Sequence, residues 1–395
     1  MPRVLFVHHR PQASGAAQSL ALLIGALSTE WEPHVLVPRG AAAELFTAAG
    51  ATVYCGPVPA FTHTWDVQYH GLRWLVAVRE LLSLPAHRRV LRRLLRELQP
   101  ELVHINDSVM LATAAFACWE GVPVAFHLRS SLPNEGLDRR SRWVRRAIDK
   151  LGTVALAIDE DVERTFRLTI RTQVVCNPVG LEDGEPADLG VPEGKVSVGL
   201  IGYLRHQKGW PEFLGALELL VRDHVPIHGV VVGGGVRQHR AFRGPRGRVL
   251  RALGVPDEEQ AFARALDSRG LRDHVTWLPF RRDIGAVYRS LDIVTFPNQG
   301  AGLGRPVLEA GGYGVPVVAS GSPDGAGLLV PEVTGLLLAS ADAGELATAV
   351  ARLAESAELR RRLGDAARAR IRRIAAPADV AARVEVVWSE TLAKR

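Results

Sequence analysis

The fold of this chain is decided by residues 292–320, which read DIVTFPNQGAGLGRPVLEAGGYGVPVVAS. The apolar run at 293–296 predicts a buried parallel strand, and the run at 315–319 predicts a second one. A glycine-rich loop follows the first strand, and then comes Pro306, a residue that the first turn of a helix tolerates. This order of strand, glycine loop, helix and strand indicates a βαβ unit of an α/β fold.

The same stretch could bind a phosphorylated, hydroxylated ligand. Glycines such as Gly302 and Gly304 let backbone N–H groups approach a ligand closely, and a helix N-terminus attracts negative charge. Glu309, one turn into the predicted helix, could accept hydrogen bonds from both hydroxyls of a ribose. On its own, however, the stretch is explained equally well by an ordinary βαβ crossover with glycines for tight packing.

Length and composition limit the possible classes of protein. The chain has 395 residues, 47% of them hydrophobic and 23% charged, which is typical of two globular domains. Three cysteines, Cys55, Cys118 and Cys176, fit buried thiols in a reducing compartment better than a disulfide framework. We expect no signal peptide, no transmembrane helix and no zinc site, and therefore a cytoplasmic protein.

The charge balance favours an anionic partner. A net charge of +6 could serve nucleic acid, an anionic membrane surface or anionic substrates. We expect no nucleic-acid partner, because no helix-turn-helix, zinc finger or RNA-reading motif is visible. Segments 71–98 and 139–150 are amphipathic and combine arginine with tryptophan, so they could contact the inner membrane face peripherally, although a solvated arginine face is commoner. Segment 236–251 is very basic and predicts a surface loop.

The chain divides near residue 180. Strand-like and helix-like segments alternate before this point, which predicts a parallel sheet with helices on both faces. Residues 180–195 are rich in glycine, proline and acidic residues and predict an interdomain linker. A second α/β domain begins with the strand at 196–201. Pro377 interrupts the C-terminal helices and leaves a last helix at about 380–392.

Two loops of the first half contain candidate site residues at predicted strand ends, where ligands bind in such sheets. The loop 11–18 contains Gly15 and could present backbone amides to an anion, but a plain βα turn explains it somewhat better. His127 and Arg129 lie where an apolar strand ends. Two polar groups at one strand end fit a functional role and a structural role about equally well.

A further pair of cations follows the first strand of the second half. Arg205 and Lys208 lie three residues apart in GYLRHQKG, with Gly202 before them and Gly209 after them. Two cations at a strand end suit a diphosphate, whose charge must be neutralised at more than one oxygen. Alone, the segment could equally be a solvated turn.

Taken together and in order, these pieces resemble the retaining glycosyltransferases of family 4, also called glycosyl transferases group 1. The resemblance runs along the whole chain through PQASGAAQSL, VAFHLRSS, VVCNPVG, GYLRHQKGW, VVGGG, VTWLPF, DIVTFPN and GLGRPVLEAGGYGVPVVAS. It implies the GT-B fold, with two Rossmann-like domains whose parallel sheets face each other across a cleft. The domains would span 1–180 and 181–376, with a C-terminal helix at about 377–395 packing back on the first domain.

The resemblance also implies a reaction. A nucleotide-diphosphate sugar would bind the C-terminal domain, and a saccharide or lipid-linked acceptor would approach from the N-terminal domain. The sugar would be transferred with retention of its anomeric configuration, in bacterial envelope, exopolysaccharide or glycoconjugate synthesis. No cofactor and no metal are expected, because cationic side chains neutralise the leaving group in this family.

The implied site residues fall into three groups. Arg205 and Lys208 would hold the diphosphate, and His127 would contact the donor sugar near the reaction centre. The acceptor or diphosphate loop would comprise Ser14, Gly15 and Arg129. The implied donor-binding residues are Gly202, Leu278, Pro279, Phe280, Gly302, Leu303, Gly304, Arg305 and Glu309.

One departure from the family pattern leaves alternatives open. The family signature has two glutamates; Glu309 is the second, and Ala301 occupies the position of the first. The identity of the sugar therefore stays open, and Arg305 could bind an acidic group on it. A non-catalytic nucleotide-sugar-binding protein is one alternative. The other is a sugar-nucleotide epimerase, which should carry several carboxylates and histidines for proton abstraction.

Overall fold

The structure is a computed structural model that describes residues 1–61, 74–132, 137–233, 244, 247–248, 257–281, 283–300, 303–321 and 327–394. The chain forms two compact units. The N-terminal unit comprises Met1–Gly180 together with Ile374–Arg395, and the C-terminal unit comprises Leu181–Arg373. Each unit is built on one parallel sheet, so the predicted class of two Rossmann-like α/β units is confirmed.

The N-terminal unit contains seven parallel strands in the order β3-β2-β1-β4-β5-β6-β7. The strands are β1 (Arg3–Val7), β2 (Glu32–Val37), β3 (Thr52–Cys55), β4 (Leu102–Ile105), β5 (Val124–Leu128), β6 (Val154–Ala157) and β7 (Thr172–Val174). All residues of β4, β5 and β6 are buried, which explains why these strands appear in the sequence as continuous apolar runs rather than alternating ones.

Helices connect these strands and cover the sheet. They are α1 (Gly15–Gly25), α2 (Ala41–Ala48), α3 (Trp74–Leu98), α4 (Leu111–Trp119), α5 (Arg139–Leu151) and α6 (Glu160–Phe166). The C-terminal helix, Pro377–Ala393, packs against α1, as predicted. Its fully buried Trp388 contacts the rings of Phe6 and His104. This helix begins at Pro377, as in the expected range 377–395 and not near 380, because proline fits the first helical turn.

The C-terminal unit contains six parallel strands in the order β10-β9-β8-β11-β12-β13. The strands are β8 (Val196–Ile201), β9 (Ile227–Val232), β10 (Val275–Leu278), β11 (Ile293–Phe296), β12 (Val317–Ser320) and β13 (Gly335–Leu338). The helices are α7 (Trp210–Arg222), α8 (Glu258–Ser268), α9 (Ile284–Arg289), α10 (Arg305–Tyr313), α11 (Ala343–Glu355) and α12 (Ala357–Ile374). The order reverses between β8 and β11, and ligands of open α/β sheets bind at such a reversal.

The predicted linker makes hydrogen bonds to the C-terminal unit. Residues 181–195 form no helix or strand, but they are hydrogen-bonded along the C-terminal unit. The backbone N–H of Glu182 donates to the hydroxyl of Tyr313 at 3.0 Å, and the N–H of Ala187 donates to the carbonyl of Ala286 at 3.1 Å. The segment is therefore part of the surface of this unit.

Two smaller expectations can also be compared with the structure. Of the three cysteines, only Cys176 is buried; the prediction was wrong for Cys55 and Cys118. Cys55 ends the edge strand β3, and Cys118 lies on the solvent side of α4. Among the described residues, no helix is long and apolar enough to cross a membrane.

Candidate functional site

The carboxyl edge of the C-terminal sheet carries two of the predicted cations. Arg205 and Lys208 lie between β8 and α7, where Lys208 ends a single turn of 3-10 helix. The ammonium of Lys208 lies over the ring of Phe296, with 5.3 Å between Nζ and the ring centroid. Because Phe296 is the last residue of β11, this contact brings the cationic loop to the start of the glycine-rich loop.

The loops after β8 and β11 touch through their backbones. Gly209 has φ +78°, and a Cβ at this position would lie 1.9 Å from the carbonyl oxygen of Pro297. The N–H of Gln299 donates to the carbonyl of Gln207 at 3.0 Å. Only glycine allows this approach at residue 209, so the sequence itself fixes the position of Lys208 relative to β11.

The N-terminus of α10 lies at the same place. A Cβ at Gly304, the residue that precedes this helix, would lie 2.8 Å from Cζ of Phe296. No described side chain caps this N-terminus, and Leu303 before it is buried. The N-terminus of α10 and the ammonium of Lys208 thus both lie beside Phe296, and two such groups suit an anion such as a diphosphate.

Glu309 is engaged by two other side chains. Its Oε1 accepts hydrogen bonds from Nε and Nη2 of Arg305, at 3.0 and 2.6 Å. Its Oε2 accepts from the hydroxyl of the buried Tyr288 at 2.9 Å. The guanidinium of Arg305, one helical turn before Glu309, is thus hydrogen-bonded within the protein. This ion pair offers a structural role for Arg305 beside the hypothesis that it binds an acidic sugar.

The remaining donor-binding candidates lie at the ends of β8 and β10. Gly202 has φ +135°, and a Cβ at Gly233 would lie 2.1 Å from the carbonyl oxygen of Gly202. The N–H of Gly233 donates to the carbonyl of Leu278 at 3.2 Å, so the backbones of three strand ends meet. Pro279 and Phe280 follow directly, and the side chain of Phe280 is exposed.

Two predicted features fall in parts of the chain that are not described. Gly302 and Ala301 lie outside the described residues, and so does nearly all of the basic segment 236–251. The position of the absent first glutamate therefore stays a matter of sequence alone.

The N-terminal unit has a polar network at the ends of β4, β5 and β7. Its centre is Arg129, whose Nε donates to Oδ1 of Asn106 at 2.8 Å. The Nη1 group of Arg129 donates to Oδ1 of Asn177, and Nη2 contacts Nδ1 of His127 at 3.2 Å. The same Nδ1 contacts Nε2 of His104 at 3.1 Å. The structure therefore brings His127 and Arg129 together, as members of a network that holds three strand ends.

This network determines the protonation of His127. Burial, followed by the charge of Arg129, holds the pKa of His127 well below its usual value, and burial lowers that of His104 to about 3. Both rings are thus neutral at pH 7. Because a guanidinium can only donate, Nδ1 of His127 accepts and Nε2 carries the proton. This Nε2–H is buried and has no hydrogen-bond partner among the described residues.

Ser14 and Gly15 form the beginning of α1. The Oγ of Ser14 accepts a hydrogen bond from the N–H of Ala17 at 3.4 Å and caps the helix, and Gly15 is its first residue. Asn106 donates to the carbonyl of Ala16 at 3.3 Å, so the polar network continues to this helix. Helix capping gives Ser14 a structural role in this loop.

Sequence reasoning missed several members of these networks. They include His104 on β4, Asn106 directly after β4, and Tyr288 on α9. The segment HIND at 104–107 carried a signal, because it repeats the pattern of polar residues after a buried strand. Tyr288 carried no such signal. Among the described residues, no cluster of His, Cys, Asp and Glu could hold a metal ion.

Two family models match this chain. Residues 13–183 match the model described as Glycosyltransferase Family 4, and residues 182–370 match the model described as Glycosyl transferases group 1. The two matches adjoin near residue 182 and together cover most of the chain.

Individual relatives share parts of this similarity. The chain is 33% identical over 174 residues to a lipopolysaccharide core biosynthesis mannosyltransferase, LpcC, of Rhizobium leguminosarum, covering 44% of each chain. It is 26% identical over 309 residues to a 2-deoxystreptamine N-acetyl-D-glucosaminyltransferase of Streptomyces fradiae, covering 68% of this chain and 66% of the relative. The matches thus span about half to two thirds of these relatives.

Solved structures share the fold over nearly the full length. The crystal structure of Anabaena Alr3699/HepE in complex with UDP and glucose has a TM-score of 0.78 and 19% identity. The similarity covers 98% of this chain and 100% of that one. At this identity the likeness concerns the fold, and it agrees with a GT-B architecture.

Proposed function

Because the chain belongs to glycosyltransferase family 4, we propose that it transfers a sugar from a nucleotide-diphosphate sugar to an acceptor hydroxyl. Transfer proceeds with retention of the anomeric configuration and without a metal ion. The observation that carries this proposal is the position of Lys208 over Phe296, beside the N-terminus of α10. A cation and helix amides at one strand end are the groups that a diphosphate needs.

In this proposal the C-terminal unit binds the donor. Lys208 and Arg205 neutralise the charge that develops on the leaving nucleoside diphosphate. The backbone at Leu303 and Gly304 donates to diphosphate oxygens, and Glu309 binds the ribose. The exposed segment 278–280 contacts the base. UDP bound to the Anabaena protein of similar fold supports a uridine nucleotide as the first donor to test.

His127 acts in this proposal as a hydrogen-bond donor rather than as a base. Its depressed pKa leaves the ring neutral, and the contact from Arg129 to Nδ1 leaves a proton on Nε2. Once the donor sugar reaches this ring, which is fully buried in the structure, such an N–H donates to one of its hydroxyls without changing charge during the reaction. Arg129 contributes by fixing this tautomer.

The acceptor is a saccharide or a lipid-linked saccharide, and the N-terminal unit contacts an anionic membrane surface peripherally. The named relatives support envelope or glycoconjugate synthesis. On α5, Trp143 is 61% exposed and the exposed Arg142 and Arg146 have no acidic partner among the described residues. On α3, Leu82 is 77% exposed. Exposed apolar groups beside cations suit anionic lipid.

Nucleotide binding and turnover test the enzymatic part. We expect UDP, GDP or ADP to raise the melting temperature of the full chain, and we expect Lys208→Met to make this shift smaller at the same nucleotide concentration. Release of nucleotide from the corresponding sugar nucleotide, with an α-linked product from an α-linked donor, identifies a retaining transferase. Binding without turnover would identify a binding protein, and epimerised donor without nucleotide release would identify an epimerase. No shift with any nucleotide would contradict the proposal.

Sedimentation with lipid vesicles tests the membrane contact. We expect the protein to bind vesicles containing phosphatidylglycerol and not vesicles of phosphatidylcholine alone. Replacing Trp143 and Arg142 by serine should abolish binding, whereas replacing Arg361, an exposed cation on α12, should not. Equal binding of both protein variants would contradict the assignment to α5.

A further inference from the structure

Neighbouring side chains occupy most of the hydrogen-bond acceptor positions of the Glu309 carboxylate. Oε1 accepts two hydrogen bonds from the Arg305 guanidinium, and Oε2 accepts one from the Tyr288 hydroxyl. A carboxylate has about four acceptor positions. The described residues occupy three of them, which leaves one, on Oε2. The sequence-based expectation that Glu309 accepts both ribose hydroxyls thus meets an obstacle, because a second hydroxyl would have to displace Arg305.

These contacts also hold the carboxylate in one orientation. The side chains of Glu309 and Arg305 are 12% and 16% exposed. Tyr288 is fully buried, and its ring stacks on Tyr313 with 5.8 Å between centroids and 14° between planes. Burial, and then the charge of Glu309, raise the pKa of Tyr288 well above its usual value, so its hydroxyl stays a proton donor.

We propose that Tyr288 and Arg305 are positioning residues that direct the single remaining acceptor position of Glu309 at one ribose hydroxyl of the nucleotide. This inference rests on the proposed function, in which Glu309 faces the ribose. Its consequence is an asymmetric specificity. Loss of the bonded hydroxyl leaves a charged acceptor, only 12% exposed, without this partner and is costly. Loss of the other hydroxyl removes no bond to Glu309.

Calorimetric titration of the full chain can measure this asymmetry. UDP, GDP and ADP are titrated first, and the 2′-deoxy and 3′-deoxy analogues of the nucleotide that binds are then compared with it. For the wild type we expect one analogue to bind about 10- to 100-fold more weakly than the ribonucleotide, and the other to bind within about threefold of it.

Two variants remove the positioning groups separately. Tyr288→Phe keeps the stacked ring and removes only the hydroxyl; we expect about tenfold weaker ribonucleotide binding and a smaller difference between the two analogues. Arg305→Gln frees Oε1 for the second hydroxyl, so both analogues should then bind more weakly than the ribonucleotide. In a Glu309→Gln background, Tyr288→Phe should have no further effect.

Tyr313→Phe is the matched control. It removes a hydroxyl from the ring that stacks on Tyr288, but this hydroxyl accepts from the N–H of Glu182 and not from any group at Glu309. We expect it to leave the affinity and the difference between analogues unchanged. Melting temperatures of the unliganded variants report any common loss of stability.

Several results would overturn the inference. One is an unchanged ribonucleotide affinity and an unchanged analogue preference in both Tyr288→Phe and Arg305→Gln. Another is an equal loss with both deoxy analogues in the wild type, since this would show that both hydroxyls bind. If the wild type binds no nucleotide at all, the proposed function fails and this inference fails with it; the other two results require a wild type that binds.

Discussion

Gly209→Ala should separate the loops that bring Lys208 to the end of β11. The added Cβ would lie 1.9 Å from the carbonyl oxygen of Pro297, whereas ordinary contacts begin near 3.4 Å. The two backbones must therefore move apart by more than one ångström. Because Gln207 and Gln299 are hydrogen-bonded across the same approach, this movement should also disturb the turn that ends in Lys208.

Gly194 supplies a control for the backbone term. Gly194 and Gly209 have the same φ of +78°, but a Cβ at Gly194 would meet nothing within 4 Å. Gly194→Ala should therefore lower the free energy of unfolding only by the cost of placing alanine in the left-handed conformation, about 1–2 kcal/mol. Alanine at residue 209 should cost this amount plus an overpacking term of about 1–3 kcal/mol. The difference between the two variants isolates the steric term.

Scanning calorimetry and nucleotide titration measure both effects. We expect the melting temperature to fall further in Gly209→Ala than in Gly194→Ala. We also expect nucleotide affinity to fall at least tenfold in Gly209→Ala only, because Lys208, the cation proposed to bind the diphosphate, moves. Equal melting temperatures and wild-type affinity in both variants would refute the view that this close approach positions Lys208 for the proposed nucleotide binding.

Three further predictions concern single side chains. Lys208→Met keeps an unbranched side chain against Phe296 but removes the charge, so UDP affinity by calorimetry should fall about tenfold and depend less on salt; an unchanged salt dependence would contradict this. Arg129→Lys should lower the melting temperature, since an ammonium cannot serve three acceptors in one plane, whereas Arg142→Lys on exposed α5 should not. Burial raises the pKa of Asp159 from 3.8 to about 6, so ionisation opposes folding and stability falls as pH rises between these values. We expect urea unfolding to show that the free energy of unfolding falls by about 3 kcal/mol less with pH in Asp159→Asn than in the wild type. Parallel plots of unfolding free energy against pH for the two proteins would contradict this prediction.

The architecture could be predicted because both sheets are buried on two faces. Continuous apolar runs then mark the strands, and their alternation with helices fixes the class. The boundaries of helices and strands were harder to predict where a helix is followed directly by a strand. The strand predicted at 315–319 begins at Val317, because the N–H of Val315 closes α10 on the carbonyl of Ala310 and Pro316 has no N–H to donate.

The grouping of site residues at strand ends also followed from the sequence, since the carboxyl ends of parallel strands share one edge. Their partners did not follow, because a sequence gives residue types and not the direction of side chains. The ion pair of Arg305 and Glu309 was not predicted either, although the sequence carried a signal for it. They lie four residues apart on a predicted helix, a spacing at which opposite charges meet, and this signal favours the ion pair over a free guanidinium aimed at a sugar.

The partners in turn decide which polar groups can act on a ligand. The guanidinium of Arg129 donates hydrogen bonds to Asn106, Asn177 and His127, so these N–H groups are used within the protein. His127 is left with an N–H that has no partner among the described residues, and Glu309 is left with one acceptor position. In each unit an arginine thus fixes a neighbouring side chain, and each arginine supports the candidate residue of its own unit. If the proposed function holds, the hydrogen-bonding positions that the described residues leave open on His127 and on Glu309 are the ones at which substrate specificity should be sought.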